Sequence, residues 1–465
     1  MSAFAEYLHH QQFTVLIEYL CGATAVEPTR DEFAGFPAVM TLADRVQSDH
    51  DISPLAASQQ YPKHREKVLH YAGKGRDIAD FQQFLQQAEQ ADIKNLLLLT
   101  GDKLKQHQSG AHGVARSRYL ESVNAVMAAK AYGGFHLGVA FNPFKYTEAE
   151  RTAQYLKLQK KIKAGADYVI TQLGYDLHAI EQLQQFLQNL LQQHDAAPKL
   201  LVCVMPLSLA RANFMLKNKV AGIVITPYML RILEQEKQQG MTERVYLRCA
   251  VQMLICEKMG LAGVHLSGCH KPEQQQRLID AIEQYRQLNL TQLQALWQRL
   301  WQITTEQAFV PELPQAVEVS VKQQLKYRSL DRMHRWLFAS KWARGMGRYI
   351  FQQRLWNQNK MRQWLVQGEH LSKHAAVGCE SCGQCRLADT LYICPETCPK
   401  GLANGPCGGT DLDRCEFGDR ECIHSVKARL AVAVAQTEIL REKLIPTVSI
   451  EIRGSSSWKN WYLAE

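Results

Sequence analysis

Short apolar runs rich in aliphatic and β-branched residues recur through the first 290 residues. They are FTVLIEYL (13–20), AVMTLA (38–43), KVLHYA (67–72), NLLLLTGD (95–102), HLGVAFN (136–142), YVITQLGYD (168–176), KLLVCVMPL (199–207) and GVHLSG (263–268). Runs of this length and composition predict strands. Most are separated by stretches of helical periodicity, such as DFQQFLQQAEQ (80–90), RYLESVNAVMAAKAY (118–132), AERTAQYLKLQKKIKAG (149–165) and KPEQQQRLIDAIEQYRQL (271–288). Eight strands alternating with helices predict an α/β fold of the (β/α)8 TIM barrel type. An open doubly wound sheet is the alternative. It usually carries a G-x-G-x-x-G turn after an early strand, and none of the first strands here has one.

The β-prone runs stop after the eighth. Residues 1–291 therefore read as the barrel, 292–370 as a helical connector, and 371–465 as a small cysteine-rich metal-binding unit. That unit ends in a helix-like VKARLAVAVAQTEILREKL (426–444) and a tail. A chain of 465 residues is long enough for two or three such units.

Composition adds three points. The N-terminus lacks a basic region leading into an apolar one, and no eighteen apolar residues run uninterrupted, so the expectation is a cytoplasmic protein with no membrane span. Thirteen cysteines in a reducing compartment point to metal ligands, catalytic groups or core thiols rather than disulfides. The net charge of +9 is concentrated: between Lys326 and Trp364 stand ten Lys or Arg and one acid, Asp331, interleaved with Trp336, Trp342, Trp356 and Trp364. Nucleic acid and an anionic membrane are weighed for this stretch and set aside. The favoured reading is a helix pair that buries Trp and Leu beneath Arg stems. Its functional version is a docking face for an acidic electron carrier such as ferredoxin or flavodoxin. A homo-oligomer is compatible with the sequence.

Barrel active sites lie at the C-terminal ends of the strands, so polar residues that end apolar runs are the candidates. They are Glu18, His70, Asp102, Asn142, Gln172 and His265. Singly, each also reads as a helix cap or a backbone-satisfying side chain.

NLLLLTGD followed by YLKLQKKIKAGADYVITQLGYD, with GVAFNP between them and TVLIEY upstream, resembles the methylenetetrahydrofolate reductase family over residues 10–290. The resemblance implies a flavin-dependent barrel, with FAD or FMN, that reduces 5,10-methylenetetrahydrofolate to 5-methyltetrahydrofolate for methionine biosynthesis, or runs in reverse. It implies that Glu18 is the general acid that opens the imidazolidine ring and that Asp102 lies between flavin and pterin. It further makes His70 and Lys161 flavin contacts and Gln172 a folate-binding residue. A positioned carboxyl group suits ring opening, and an amide can both donate to and accept from a pterin edge. The chain departs from the family pattern at EYLCG (18–22), at Thr100-Gly101-Asp102 in the cofactor loop, and at Asn142, which stands where a tyrosine stacks on the flavin. Leu209 and Ala210 stand where an aromatic stacks on nicotinamide, which weakens the case for NADH as direct donor.

The cysteine unit spaces Cys379, Cys382 and Cys385 two residues apart, then Cys394, Cys398, Cys407, Cys415 and Cys422. These spacings could hold two four-thiolate zinc sites, two [4Fe-4S] clusters, or one cluster with spare ligands. CPETCPKGLANGPCGGT with CEFGDRECI resembles the C-terminal cysteine domain attached to, or partnered with, some of these reductases in anaerobic one-carbon metabolism. That resemblance implies an iron-sulfur unit passing electrons to the flavin. Cys21, Cys203, Cys249, Cys256 and Cys269 read as buried core thiols. The leading expectation is a folate oxidoreductase. The alternative is a non-catalytic barrel that binds folate or a partner, stabilised by structural zinc.

Overall fold

The computed structural model describes residues 1–21, 31–44, 51–62, 64–103, 119–193, 197–303 and 308–463. Eight strands form the barrel: β1 (Thr14–Leu20), β2 (Phe36–Ala43), β3 (Lys67–Ala72), β4 (Asn95–Leu99), β5 (His136–Phe141), β6 (Tyr168–Thr171), β7 (Lys199–Val204) and β8 (Gly263–Leu266). Each pairs in parallel with the next, and β8 closes on β1 with Thr14 opposite Gly263 and Ile17 opposite Leu266. This is the (β/α)8 barrel that the apolar runs predict. The runs expected to reach Asp102, Asp176 and Leu207 stop earlier, at Leu99, Thr171 and Val204. The local reason is visible after β6, where the Gln172 amide oxygen folds back to accept from Leu173 N at 2.8 Å and starts a loop. Three helices lie between β7 and β8, Leu209–Lys217, Pro227–Gln238 and Arg244–Lys258, in a stretch where the sequence reading placed no element.

The N-terminal helix Ala3–His9 covers the N-terminal end of the barrel. Its Phe4 is fully buried, edge-on to His136 and Tyr168 at ring separations of 5.4 and 5.2 Å. The C-terminal ends of the strands are left as the end where a site can form. Helix Leu290–Leu300 also belongs to this body, because Trp297 and Trp301 are buried in the barrel core with Phe309. The guanidinium of Arg248 lies 4.4 Å from the Trp301 ring centre.

Helices Val321–His334, Lys341–Phe351 and Asn359–Val377 follow. They do not bury their tryptophans as expected: Trp336, Trp342 and Trp364 are 67%, 67% and 75% exposed. Small residues take the inward face instead. A Cβ on Gly347 would stand 2.3 Å from the Tyr462 ring, and only glycine lets the helix sit that close to Ser457–Leu463.

The cysteine-rich unit has short 3₁₀ turns and a small apolar cluster of Tyr327, Leu391, Tyr392, Leu430 and Ala431. Its expected long helix is two, Ile423–Ala433 and Thr437–Glu442. Ala435 takes a φ of +53° between them, and Gln436 N donates to Ala431 O at 2.8 Å, which closes the first helix.

Candidate functional site

Strand alternation turns Glu18 of β1 toward the strand ends that precede Ser267 and His270. Ser267 Oγ donates to Glu18 Oε2, and His270 Nδ1 stands 3.0 Å from the Glu18 carbonyl. His265 of β8 contacts Thr41 Oγ1 of β2 at 3.0 Å, and its ring lies 5.8 Å from that of His70 in β3. Burial, then His265, push the His70 pKa down to about 3, so the ring is neutral. Its Nε2 has no hydrogen-bond partner among the described residues. Burial likewise lowers His265, with Glu18 pulling the other way. Glu18, His70 and His265 are thus brought together. Sequence reading missed Thr41, Ser267 and His270, each a short polar or imidazole side chain at or after a strand.

A second group lies under the cysteine unit. The turn Cys407-Gly408-Gly409-Thr410 rests on the barrel at Asn142, whose Nδ2 donates to Gly408 O at 3.0 Å and Gly222 O at 2.8 Å. Gly222 is required here: its φ is +75° and a Cβ would stand 2.2 Å from Gly408 O. Gln172 Nε2 donates to the neighbouring Ala221 O at 3.0 Å. Lys400 Nζ donates to Gly101 O at 2.8 Å and pairs with Glu416 at 2.5 Å, while Lys103 N donates to the other Glu416 oxygen at 2.7 Å. Asp102 is exposed, with Glu416, Lys400 and Lys74 in electrostatic reach. Loss of hydration there, and then Glu416, raise its pKa against the pull of Lys400 and Lys74. Thr100 Oγ1 accepts from Ser122 N at 3.2 Å, at the start of helix Ser122–Tyr132.

Lys161 is placed differently. It sits on helix Glu148–Ala164 with its Nζ on Ala140 O at 2.5 Å, and burial pushes its pKa down to about 7. Of the residues matched to flavin contacts, Asn142, Thr100 and Lys161 are committed to protein partners, and Gly101 O is taken by Lys400. His70 Nε2, buried and orphaned, is the polar atom here that fits a bound group.

The cysteine unit is fixed to the barrel by a buried network. Glu121 pairs with Lys157 at 2.9 Å and accepts from Ala403 N, Asn404 N and Asn404 Nδ2, each at 3.1 Å. Lys157 also donates to Pro406 O at 2.9 Å, Gln154 to Cys407 O at 2.8 Å, and Lys145 to Thr410 O. Asn404 and Asn124 both donate to Ile445 O at 2.8 Å.

The thiols lie in two electrostatically linked sets, with Cys385 tied to the first only through Lys373. Cys379 and Cys394 share a hydrogen bond, Cys382 feels the charge of Cys394, and Lys373 that of Cys385 and Cys379. Cys398 is in electrostatic reach of Cys407, Cys415 and Cys422, which form the group beside Asn142. Buried cations surround both groups. Lys400 and Lys145 face Cys407, and Arg386 faces Cys382 and Cys394. Lys427 faces both Cys398 and Cys394, and its Nζ has no hydrogen-bond partner among the described residues. A buried ammonium without a partner is costly, so this donor set fits anionic metal-thiolate groups. Among the described residues no three His, Cys, Asp or Glu side chains gather closely enough to hold a single ion as they stand. The other five cysteines are buried, as expected of core thiols.

Residues 358–451 match the family described as "Methylene-tetrahydrofolate reductase C terminal". No curated protein matches the chain. A solved structure described as an uncharacterized protein from Clostridium thermocellum that "binds two copies of 5-methyl-5,6,7,8-tetrahydrofolic acid" is similar, at 14% identity and a TM-score of 0.41, over 61% of this chain and 99% of that one. Residues 37–283, more than half of the chain, match the family described as methylenetetrahydrofolate reductase, and the chain belongs to that family.

Proposed function

We propose that the chain interconverts 5,10-methylenetetrahydrofolate and 5-methyltetrahydrofolate at the C-terminal mouth of the barrel, with a flavin, FAD or FMN, as its redox cofactor. The cysteine groups would hold iron-sulfur clusters, which would supply one-electron chemistry beside that flavin. The observation that carries this reading is the seating of Cys407–Thr410 on Asn142 and Gly222, beside Gly101 and Asp102. It sets the second four-thiol group against the folate-family residues. Eight thiolates would suit two cubane clusters of four thiolates each. Cys379, Cys382, Cys385 and Cys394 would hold one cluster, and Cys398, Cys407, Cys415 and Cys422 the other.

When bound, the flavin supplies the hydride. The residues of the chain do the rest. Glu18, oriented by Ser267, delivers a proton to the ring nitrogen of the substrate so that the imidazolidine opens. Asp102 hydrogen-bonds the pterin and favours the cation that develops. His70, neutral and with its Nε2 unpartnered among the described residues, would hold the flavin. Gln172 must exchange its contacts with Ala221 O and Leu173 N for a pterin edge.

Anaerobic assay of the full chain tests the electron route. Reduced methyl viologen is expected to drive methylenetetrahydrofolate reduction roughly tenfold or more faster than NADH, for which no nicotinamide-stacking aromatic stands at Leu209 or Ala210. Equal rates with the two donors would overturn entry through the thiol groups.

A further inference from the structure

Helix Lys341–Phe351 turns its apolar side to water. Trp342, Met346, Tyr349 and Ile350 recur at helical spacing along one face and are 67%, 44%, 70% and 38% exposed. Ala343 and Gly347, on the arc next to that row, are buried. The π-helical turn Arg335–Ala339 precedes the helix and presents Trp336 to solvent as well. In a helix docked on its own protein the large apolar residues face inward; here they face out.

Charge says what this face meets. The one acid between Lys326 and Trp364, Asp331, is already paired with Arg335. That leaves nine cations in the segment, among them Lys341, Arg344 and Arg348, all exposed and on the arc of the helix opposite the apolar row. A second copy of this chain would bring two such cationic segments close together, which like-charge repulsion disfavours. The combination of Trp, Tyr, Met and Ile on one face with Lys and Arg on the opposite, polar face is that of a helix lying in a bilayer surface. The aromatic rings suit the headgroup boundary, and the Arg and Lys stems reach lipid phosphates from it. No described helix is long and apolar enough to cross a membrane, so the contact is in plane.

We propose that helix Lys341–Phe351 binds the surface of an anionic lipid bilayer, its Trp342, Met346, Tyr349 and Ile350 entering the headgroup layer. The test is co-sedimentation of the full chain with vesicles of phosphatidylcholine alone, or of phosphatidylcholine with phosphatidylglycerol. Binding is expected to the anionic vesicles and to weaken as salt is raised. R344Q/R348Q is expected to weaken it roughly thirtyfold, about fivefold for each cation removed near the surface. W342S/Y349S is expected to weaken it by at least roughly tenfold through lost apolar burial. Both variants alter exposed positions, and circular dichroism checks that each is folded. Three results would overturn the proposal. One is no binding to anionic vesicles by the unaltered chain. Another is binding that W342S/Y349S leaves intact. The third is indifference to vesicles together with salt-sensitive capture of a small acidic protein such as a ferredoxin, which would make the face a protein dock.

Discussion

Glu18→Gln is expected to retain flavin and to lower methylenetetrahydrofolate reduction by roughly 10²- to 10⁴-fold, the range of a lost general acid. Gln keeps the shape of the side chain and can still contact Ser267 Oγ, so the barrel interior around Thr41, His70 and His265 should not rearrange. What the variant lacks is a transferable proton beside the substrate nitrogen. The loss should therefore fall on kcat rather than KM, as expected when an interaction made in the transition state is removed. Steady-state kinetics with the flavin content measured in the same sample checks it. Full activity with bound flavin would remove Glu18 from the catalytic role.

Glu121→Ala is expected to destabilise the chain by about 3–5 kcal/mol, the cost of leaving one partner of a buried pair alone. The change strands the Lys157 ammonium and removes the acceptor for Ala403 N, Asn404 N and Asn404 Nδ2. Those contacts join the barrel to the segment between Cys398 and Cys407, so loss of metal from the second thiol group should accompany loss of stability. Urea unfolding and metal content measured together check both, and a change below about 1 kcal/mol with full metal would contradict it. The sign of the pH dependence follows from the same contacts. Burial alone would raise the Glu121 carboxyl, but Lys157 and the N–H groups of Asn404 and Ala403 hold it below its ordinary 4.5. A carboxyl lowered in the fold stabilises above its unfolded value, and that contribution fades as pH falls through the folded one. The unaltered chain should therefore lose stability below about pH 4.5 more steeply than the Glu121→Ala variant.

The barrel was legible because strands buried on both faces leave little room for polar residues, so eight apolar runs stand out against polar helices. Glu18, His70 and His265 were legible as exceptions within those runs, and they do share one interior. The attachment of the cysteine unit was not. LKLQKKIKAG is lysine-rich, yet Lys157 and Lys160 are buried under helix Ile423–Ala433 and the Gly405–Cys407 segment, and Lys161 turns inward to Ala140 O. Nothing local in that segment marks a surface that will be covered by residues some 250 positions later. The tryptophans of the connector failed for a related reason. Composition says that a helix has an apolar side but not which way it faces, and in Lys341–Phe351 the close approach allowed at Gly347 turned the large side outward. The two sets of thiols were likewise unreadable from spacing alone, since the boundary between them falls between Cys394 and Cys398, only four residues apart.

In the proposed enzyme a flavin in the barrel mouth and iron-sulfur clusters in the two thiol groups would work as one electron path. An ultraviolet-visible spectrum of protein purified without oxygen, with iron, sulfide and zinc determined on the same sample, tests it most directly. Flavin absorption in the blue, over a broad iron-sulfur band that bleaches with dithionite, is the predicted result. A colourless protein containing only zinc would contradict it.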